Sequence, residues 1–433
     1  VSSLNYILLT VLLVIGWSAT AQPGSATPGS EENRQARVWF SEARFGIMLH
    51  IGLYSLLAGG GDKASAEWIQ RDKRISNDDY ARLTTFFNPT AFDADELVNT
   101  CRQAGAKYLN FTVKHADGFG LYDSPASDFD VMATPFGRDM VAEIAKACAL
   151  QNVGLFLHYY QMDKHQPDYA AGSALVNGDS SAAPRWQRYL AFQNAQLREL
   201  LRYEAVRGIW LNGLWELGQK VDWRLGDTYG MIHQLRPGVL IANNHHLGIL
   251  PGEDFYLYYK KLPTDAAAPY PKEAFRGISK SWGYNLLDRD FFPADSIINN
   301  IVRTAGFNCN FMLNVALMPN GQFPPEVKAI LGEVGACMRQ NGESIYGTVS
   351  GPVPPQSWGV TTRKGNVVYV HVLKPGNRLV LPNWQLPVRR VRLFGENQNI
   401  NNRKTGSDLV LDLTNVSVRH PDTIIEIEIT EPK

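Results

Sequence analysis

Between residues 44 and 316 the chain repeats one arrangement: an apolar, β-prone run stops at a polar or aromatic side chain, and a helical stretch follows. The sharpest instance is Gly208-Ile209-Trp210-Leu211-Asn212-Gly213-Leu214-Trp215-Glu216, where the run ends in an amide and a glycine. Upstream runs end in the same way at His50, His115 and Tyr160, and a downstream run ends at Asn244. Strands alternating with helices argue for a parallel α/β barrel rather than a sandwich. In such a barrel the site lies where the strands stop and the loops begin.

Hydrophobic spacing places strands at 44–50, 107–113, 155–160, 206–212, 239–242 and 310–316. Helices are expected at 92–104, from 139 to near 154, and at 185–203, 228–235 and 293–305. From about Gly347 the pattern changes to short alternating strands, which predicts a C-terminal antiparallel β-sandwich. The expected division is a signal peptide at 1–21, a linker at 22–34, a (β/α)8-like barrel at 35–346 and the sandwich at 347–433. Ile7 to Trp17 is an apolar run too short to span a bilayer, and Ala19-Thr20-Ala21 reads as a cleavage site. An exported protein, periplasmic or extracellular, with no membrane span in the mature chain is therefore expected.

Lys plus Arg and Asp plus Glu both number 42, so bulk charge draws no nucleic acid. Four cysteines in so long a chain make no disulfide framework, and Cys101 and Cys148 fall in helical patterns as buried thiols. His245 and His246 are adjacent rather than four apart, so no metal is expected, and no cofactor motif is present. Ten tryptophans and eighteen tyrosines permit a glycan or oligosaccharide partner, because aromatic faces stack on the C–H faces of sugars.

Several stretches, in order, resemble glycoside hydrolase family 29, the α-L-fucosidases. They are Phe45 to Tyr54, Glu67-Trp68, Lys114 to Phe119, Tyr122-Asp123-Ser124 to Arg138-Asp139, and Gly208 to Gly213. Asp254-Phe255, Ser281-Trp282-Gly283-Tyr284-Asn285, Leu313-Asn314-Val315 and Gly342 to Thr348 continue the series, and Trp358-Gly359 with Thr361-Thr362 resembles the start of the family's sandwich. The resemblance implies a somewhat irregular (β/α)8-like barrel followed by that sandwich, and cleavage of terminal α-L-fucose with retention. Retention uses two carboxyl groups about 5–5.5 Å apart. It also implies a substrate pocket of His50, Glu67, Trp68, His115 and Trp210, with Tyr160 or Tyr159 beside them.

The match departs from the family where the chemistry should be. The nucleophile position is Asn212, and a neutral amide cannot form the glycosyl ester. Ala116 replaces a second histidine, Asn243-Asn244 stand in place of an arginine, and Tyr259 occupies the position of an acid/base glutamate found in some members. Glu273, ahead of the Ser-Trp-Gly-Tyr stretch, is the candidate acid/base, and Glu216 is the alternative carboxylate. Three readings follow. The first is an α-L-fucosidase-like glycosidase acting on terminal fucose or a related deoxysugar, with impaired or rerouted chemistry. The second is a non-catalytic glycan-binding pseudoenzyme, and the third a glycosidase for a different sugar.

Overall fold

The computed structural model of the protein describes residues 29–59, 66–264 and 266–430, so the expected signal segment at 1–21 lies outside the described residues. A helix, Glu31–Ala43, begins after Ser30, whose side chain accepts a hydrogen bond from the Asn33 amide. Helix rather than linker therefore occupies residues 31–34, which corrects the expected boundary. Glu31 and Glu32 in its first turn favour a helix start there, beside the positive end of the helix dipole.

Eight parallel strands follow among the described residues. They are β1 (Phe45–His50), β2 (Tyr108–Lys114), β3 (Gly154–Tyr160), β4 (Val206–Asn212), β5 (Leu240–Asn243), β6 (Tyr256–Tyr259), β7 (Lys272–Gly277) and β8 (Asn310–Ala316). Their hydrogen-bonded order is β5-β4-β3-β2-β1-β8-β7-β6, a near-closed barrel. The spacing analysis misses β6 and β7. The first is only four residues long and three of them are tyrosine, and the second mixes Lys272, Glu273 and Arg276 with its apolar positions and so shows no apolar run.

No ladder joins β5 to β6, the two ends of that order. Asp254 bridges them instead. Its amide donates to the Ile241 carbonyl and its carboxylate accepts from the Ile241 amide, both at 2.7 Å. Arg37 and Asn33 of the first helix, together with His233, reach the same buried carboxylate. Charged and polar donors offset the cost of removing that carboxylate from water.

Side chains alternate along each strand, so one set faces the barrel interior and the other faces the surrounding helices. Met48, Tyr108, Phe156, Trp210, Leu240, Phe275 and Met312 pack together as the interior set. Ile47, Leu49, Leu109, Phe111, Leu155, Leu157, Ile209 and Leu211 belong to the outer layer. Gly208 makes room for the interior packing, because a Cβ there would meet Phe156 Cε1 at 2.1 Å.

The C-terminal part is antiparallel. Its strands are β9 (Val349–Ser350), β10 (Gly359–Lys364), β11 (Val367–Val372), β12 (Arg378–Leu381), β13 (Val388–Leu393), β14 (Asn402–Thr405), β15 (Asp408–Asp412) and β16 (Thr423–Ile429). They form a five-stranded sheet, β13-β16-β11-β10-β9, and a three-stranded sheet, β12-β15-β14. Val368, Val370, Leu379, Leu381, Trp384, Leu393, Ile425 and Ile427 form the core between them. All four cysteines are free thiols, with Cys101 and Cys148 buried. Among the described residues no helix is long and apolar enough to cross a membrane.

Candidate functional site

The interior stripe turns polar at the C-terminal ends of the strands. Met48 is followed two residues later by His50, Phe156 by His158 and Tyr160, and Trp210 by Asn212. All of these but Phe156, with His115 just beyond β2, line a cavity of about 290 Å³. That is close to the lower end of the roughly 300–1,000 Å³ typical of small-molecule pockets, and suits one sugar ring. Gly213 turns the chain immediately after Asn212 at φ 102°, and a Cβ there would lie 3.0 Å from the Met162 amide nitrogen. Only glycine adopts that conformation freely.

His50, Glu67, Trp68, His115, Tyr160, Trp210 and Asn212, all singled out from the sequence, line the cavity. Tyr160 rather than Tyr159 is the pocket tyrosine. Tyr159 sits on the opposite face of β3, where its hydroxyl accepts from Lys114 Nζ at 3.0 Å. The aromatic groups form a wall: the His115 ring lies 4.0 Å from that of Tyr160 and 4.9 Å from Trp68, and His158 stands edge-on to Trp210 at 4.9 Å.

Hydrogen bonds assign the states of the polar groups. Asn314 donates its Nδ2 to the Trp282 carbonyl, so its Oδ1 faces His50 Nδ1 at 2.6 Å and accepts the ring proton. His50 Nε2 is then left as an acceptor. Neither ring nitrogen of His115 has a partner among the described residues, although both are buried. Burial pulls the His50 imidazole down to about 4, and pulls His115 and His158 well below the ordinary histidine value, with neighbouring imidazoles adding to the effect. All three rings are therefore neutral at neutral pH; His50 can accept from a sugar hydroxyl at Nε2, and His115, with both nitrogens unpaired among the described residues, can donate and accept.

Burial also raises the Glu67 carboxyl above the ordinary carboxylate range, opposed by backbone amides. Its Oε2 accepts from the amides of Gly283 at 2.9 Å and Trp282 at 3.1 Å, which fixes the loop carrying the Trp282 wall. Asn212 is held on both sides. Its Oδ1 accepts from Gly213 N at 2.8 Å and from Asn244 Nδ2 at 3.3 Å, which leaves its Nδ2 facing His158 Nε2 at 3.3 Å. His158 Nδ1 lies 2.9 Å from Thr112 Oγ1.

The two other expected carboxylates are not in the cavity lining. Glu273 lies on β7, 1% exposed, beneath Trp210: it accepts from Trp210 Nε1 at 3.0 Å and from the Tyr108 hydroxyl. It lies on a strand of the barrel rather than in a loop, hydrogen-bonded to the indole of a residue that does line the cavity. Glu216 turns away to an ion pair with Lys164 and a 2.7 Å hydrogen bond from Tyr169, so it anchors the loop after β4. Both corrections arise because sequence spacing says nothing about which way a carboxylate faces.

Burial moves Glu273 from 4.5 to about 7. The folded protein thus keeps a proton that the unfolded chain releases. The associated stability is fully present below about pH 4.5 and is lost as pH rises through about 7. Glu273→Gln is expected to flatten that slope, read by urea unfolding at about pH 5 and about pH 8. An unchanged slope in the variant would assign the titration to another group.

Asn244 and Tyr259, read from the sequence as departures from the family pattern at the site, also line the cavity, and the structure adds His158, Trp215, His246, Phe275 and Trp282. Alternation from Tyr160 back to His158 was available as a signal, whereas Trp282 and Tyr259 arrive from strands and loops that the spacing does not order. His245 pairs with Glu253 at 2.7 Å instead of facing the cavity. Among the described residues no group of three or more His, Cys, Asp or Glu is arranged to hold a metal ion.

A family model described as "Alpha-L-fucosidase" matches residues 15–343. The tissue alpha-L-fucosidase of Homo sapiens is 25% identical over 396 residues, covering 84% of this chain and 82% of that one. Alpha-L-fucosidase isoenzyme 1 from Paenibacillus thiaminolyticus is similar in structure, with TM-score 0.81 and 29% identity over 92% of this chain and 100% of that one. An alpha-L-fucosidase from Bacteroides thetaiotaomicron gives TM-score 0.83 at 25% identity, covering 94% of this chain and 98% of that chain.

Proposed function

Because the chain belongs to the α-L-fucosidase family, we propose that its cavity holds a terminal α-L-fucose, or a closely related deoxyhexose, of a glycan, and does so without the family's covalent step. One observation carries this reading. The residues able to bind a sugar are gathered in the cavity, while Glu67 is the only carboxyl group among the described lining residues. Neutral imidazoles at His50 and His115 meet hydroxyl groups, and the indoles of Trp68 and Trp210 give the ring's apolar face a wall. The Glu67 carboxyl, its neutral form favoured by burial, adds a further hydrogen-bonding group.

A retaining glycosidase needs a second carboxylate about 5–5.5 Å from the first, to attack the anomeric carbon. Asn212 stands at the strand end where that group would act, and its amide is neither nucleophilic nor charged. The protein is therefore a fucosidase-like glycoside hydrolase in architecture whose native chemistry is impaired. Fucoside binding is its principal activity. The export expected from the N-terminal apolar run places that ligand among glycans outside the cytoplasm.

The test is titration calorimetry with methyl α-L-fucoside beside an aryl α-L-fucoside release assay. Binding is expected, with release near background. His115→Ala should weaken binding by about 10- to 100-fold, since one or two buried hydrogen bonds at about 1–1.5 kcal/mol each are lost. A wild type that fails to bind at millimolar fucoside removes the proposal, and rapid turnover removes the claim of impaired chemistry.

A further inference from the structure

We infer that a cleft on the barrel face opposite the inner cavity is a second binding site, for a saccharide carrying sulfate or carboxylate groups. It opens at the N-terminal ends of β2, β3 and β4, where Lys107, Gly154 and Arg207 stand at or beside the strand starts. Lys364, at the end of β10 in the sandwich, lines it too. The cleft measures about 670 Å³, more than twice the inner cavity. Chemistry in such barrels belongs to the other face, so a cleft here is a place to bind rather than to react. Junctions between domains are where binding clefts concentrate.

Charge decides the class of ligand. Among the described residues, none of the cations Lys107, Arg207 and Lys364 forms an ion pair. Two lie over rings instead: Lys107 Nζ is 4.3 Å from the centre of the Tyr346 ring, and the Arg207 guanidinium 5.4 Å from that of Trp39. A Cβ on Gly347 would lie 3.7 Å from Lys364 Nζ, so two ammonium groups flank the one dipeptide Tyr346-Gly347. Burial pulls Lys107 below the ordinary lysine value, and no carboxylate opposes it.

Glu42 and Glu204 also line the cleft. The first already faces a charge. Arg44, between Ala43 of the lining and β1, is 2% exposed, and its Nε and Nη1 have no partner among the described residues. Its other nitrogen donates to Asn308 Oδ1 at 3.2 Å and to the carbonyl of Thr348, the neighbour of Gly347. Burial disfavours this guanidinium, and Glu42 is among the groups that oppose the effect. Four cations therefore meet two carboxylates, and the excess is positive. Such an excess draws an anion, and cations carried by three separate strands suit one whose charges are spaced along a chain. If one ring fills the inner cavity, the cleft has room for about two. The saccharide part of the inference rests on the glycan reading of the inner cavity, while the anionic part rests on the cleft alone.

The experiment is titration calorimetry of the whole chain at about 50 mM salt, where exposed charges are weakly screened. The ligands are a dextran sulfate oligosaccharide, unsulfated dextran of the same length, and sodium sulfate. Only the first is expected to bind. Lys107→Gln with Lys364→Gln should weaken it about ten-fold, the scale for two partly exposed ion pairs, and leave methyl α-L-fucoside binding unchanged. Arg389→Gln with Arg390→Gln removes the same charge from exposed positions of β13 and should cost dextran sulfate under about two-fold. An equal loss in both pairs overturns the site, because general surface charge then suffices. Sodium sulfate binding as tightly as the oligosaccharide overturns the saccharide and assigns the cleft to free anions. No binding of dextran sulfate overturns the whole inference. Dextran sulfate binding by a protein that takes no methyl fucoside removes the inner-cavity reading and supports the cleft.

Discussion

The Asn212→Asp variant is expected to become covalently glycosylated by an activated aryl α-L-fucoside, with phenol release rising at least about 10³-fold over wild type, the scale lost when catalytic groups are removed from unrelated enzymes. The surroundings can accept the carboxylate by a change of tautomer. In the present protein Asn212 Nδ2 faces His158 Nε2 and His158 Nδ1 faces the Thr112 hydroxyl. With aspartate at 212, the imidazole proton moves to Nε2, where it donates to the new oxygen, and Thr112 donates to Nδ1. Gly213 N continues to donate to Oδ1.

A good phenolate leaving group needs no protonation, so the first step requires only the nucleophile. Release of the sugar from the ester then needs a base for water. Glu273 and Glu216 are turned away from the cavity lining, so the adduct should persist long enough for intact-protein mass spectrometry. No adduct and no gain in a variant that still binds methyl fucoside would show that position 212 is not where attack occurs.

Removing Asp163 is expected to destabilise the protein by about 3–5 kcal/mol, the usual cost of leaving one buried charge alone. Lys114 Nζ lies 2.8 Å from Asp163 Oδ2, with the two side chains 0% and 2% exposed. Tyr159 and Gln196 supply oxygen atoms to the same ammonium at 3.0 Å. Burial pulls Lys114 below the ordinary lysine value while Asp163 opposes it, so the aspartate is what keeps the charge tolerable. Asp163 also caps the turn after β3 by accepting from the amides of His165 and Gln166.

The contrast with a double replacement makes this diagnostic. Lys114→Met with Asp163→Leu removes both charges, and should recover a large part of the loss seen in Asp163→Ala, because a buried pair contributes little net stability against an apolar core. Urea unfolding at neutral pH reads both. A single variant costing under about 1 kcal/mol would mean the ammonium finds water or another partner. Lys114 adjoins His115 in sequence, so the single variant is also expected to weaken fucoside binding.

Much of the site is legible in the residue order because β-strands have a period of two and the barrel has one open end. Once a run is recognised as a strand, Trp210 and Asn212 share a face by necessity, as do Met48 and His50. The same period placed His158 beside Tyr160, a step that spacing allows but that no motif demands. Glu67 and Trp68 entered through the family resemblance, since their short helical segment has no periodic pattern of its own.

The carboxylates show where such reasoning stops. Glu273 belongs to a strand hidden by its own charges, and whether it faces the cavity or the interior depends on Tyr108 and Trp210, separated from it by 165 and 63 positions. Glu216 follows Asn212 by four residues, yet Lys164 and Tyr169 turn it away. Local order thus determined the barrel, its polar rim and the amide at 212, because these follow from backbone periodicity and residue type. Only the tertiary structure decided which carboxyl groups reach the cavity, since that depends on long-range partners competing for each charge once water has been excluded.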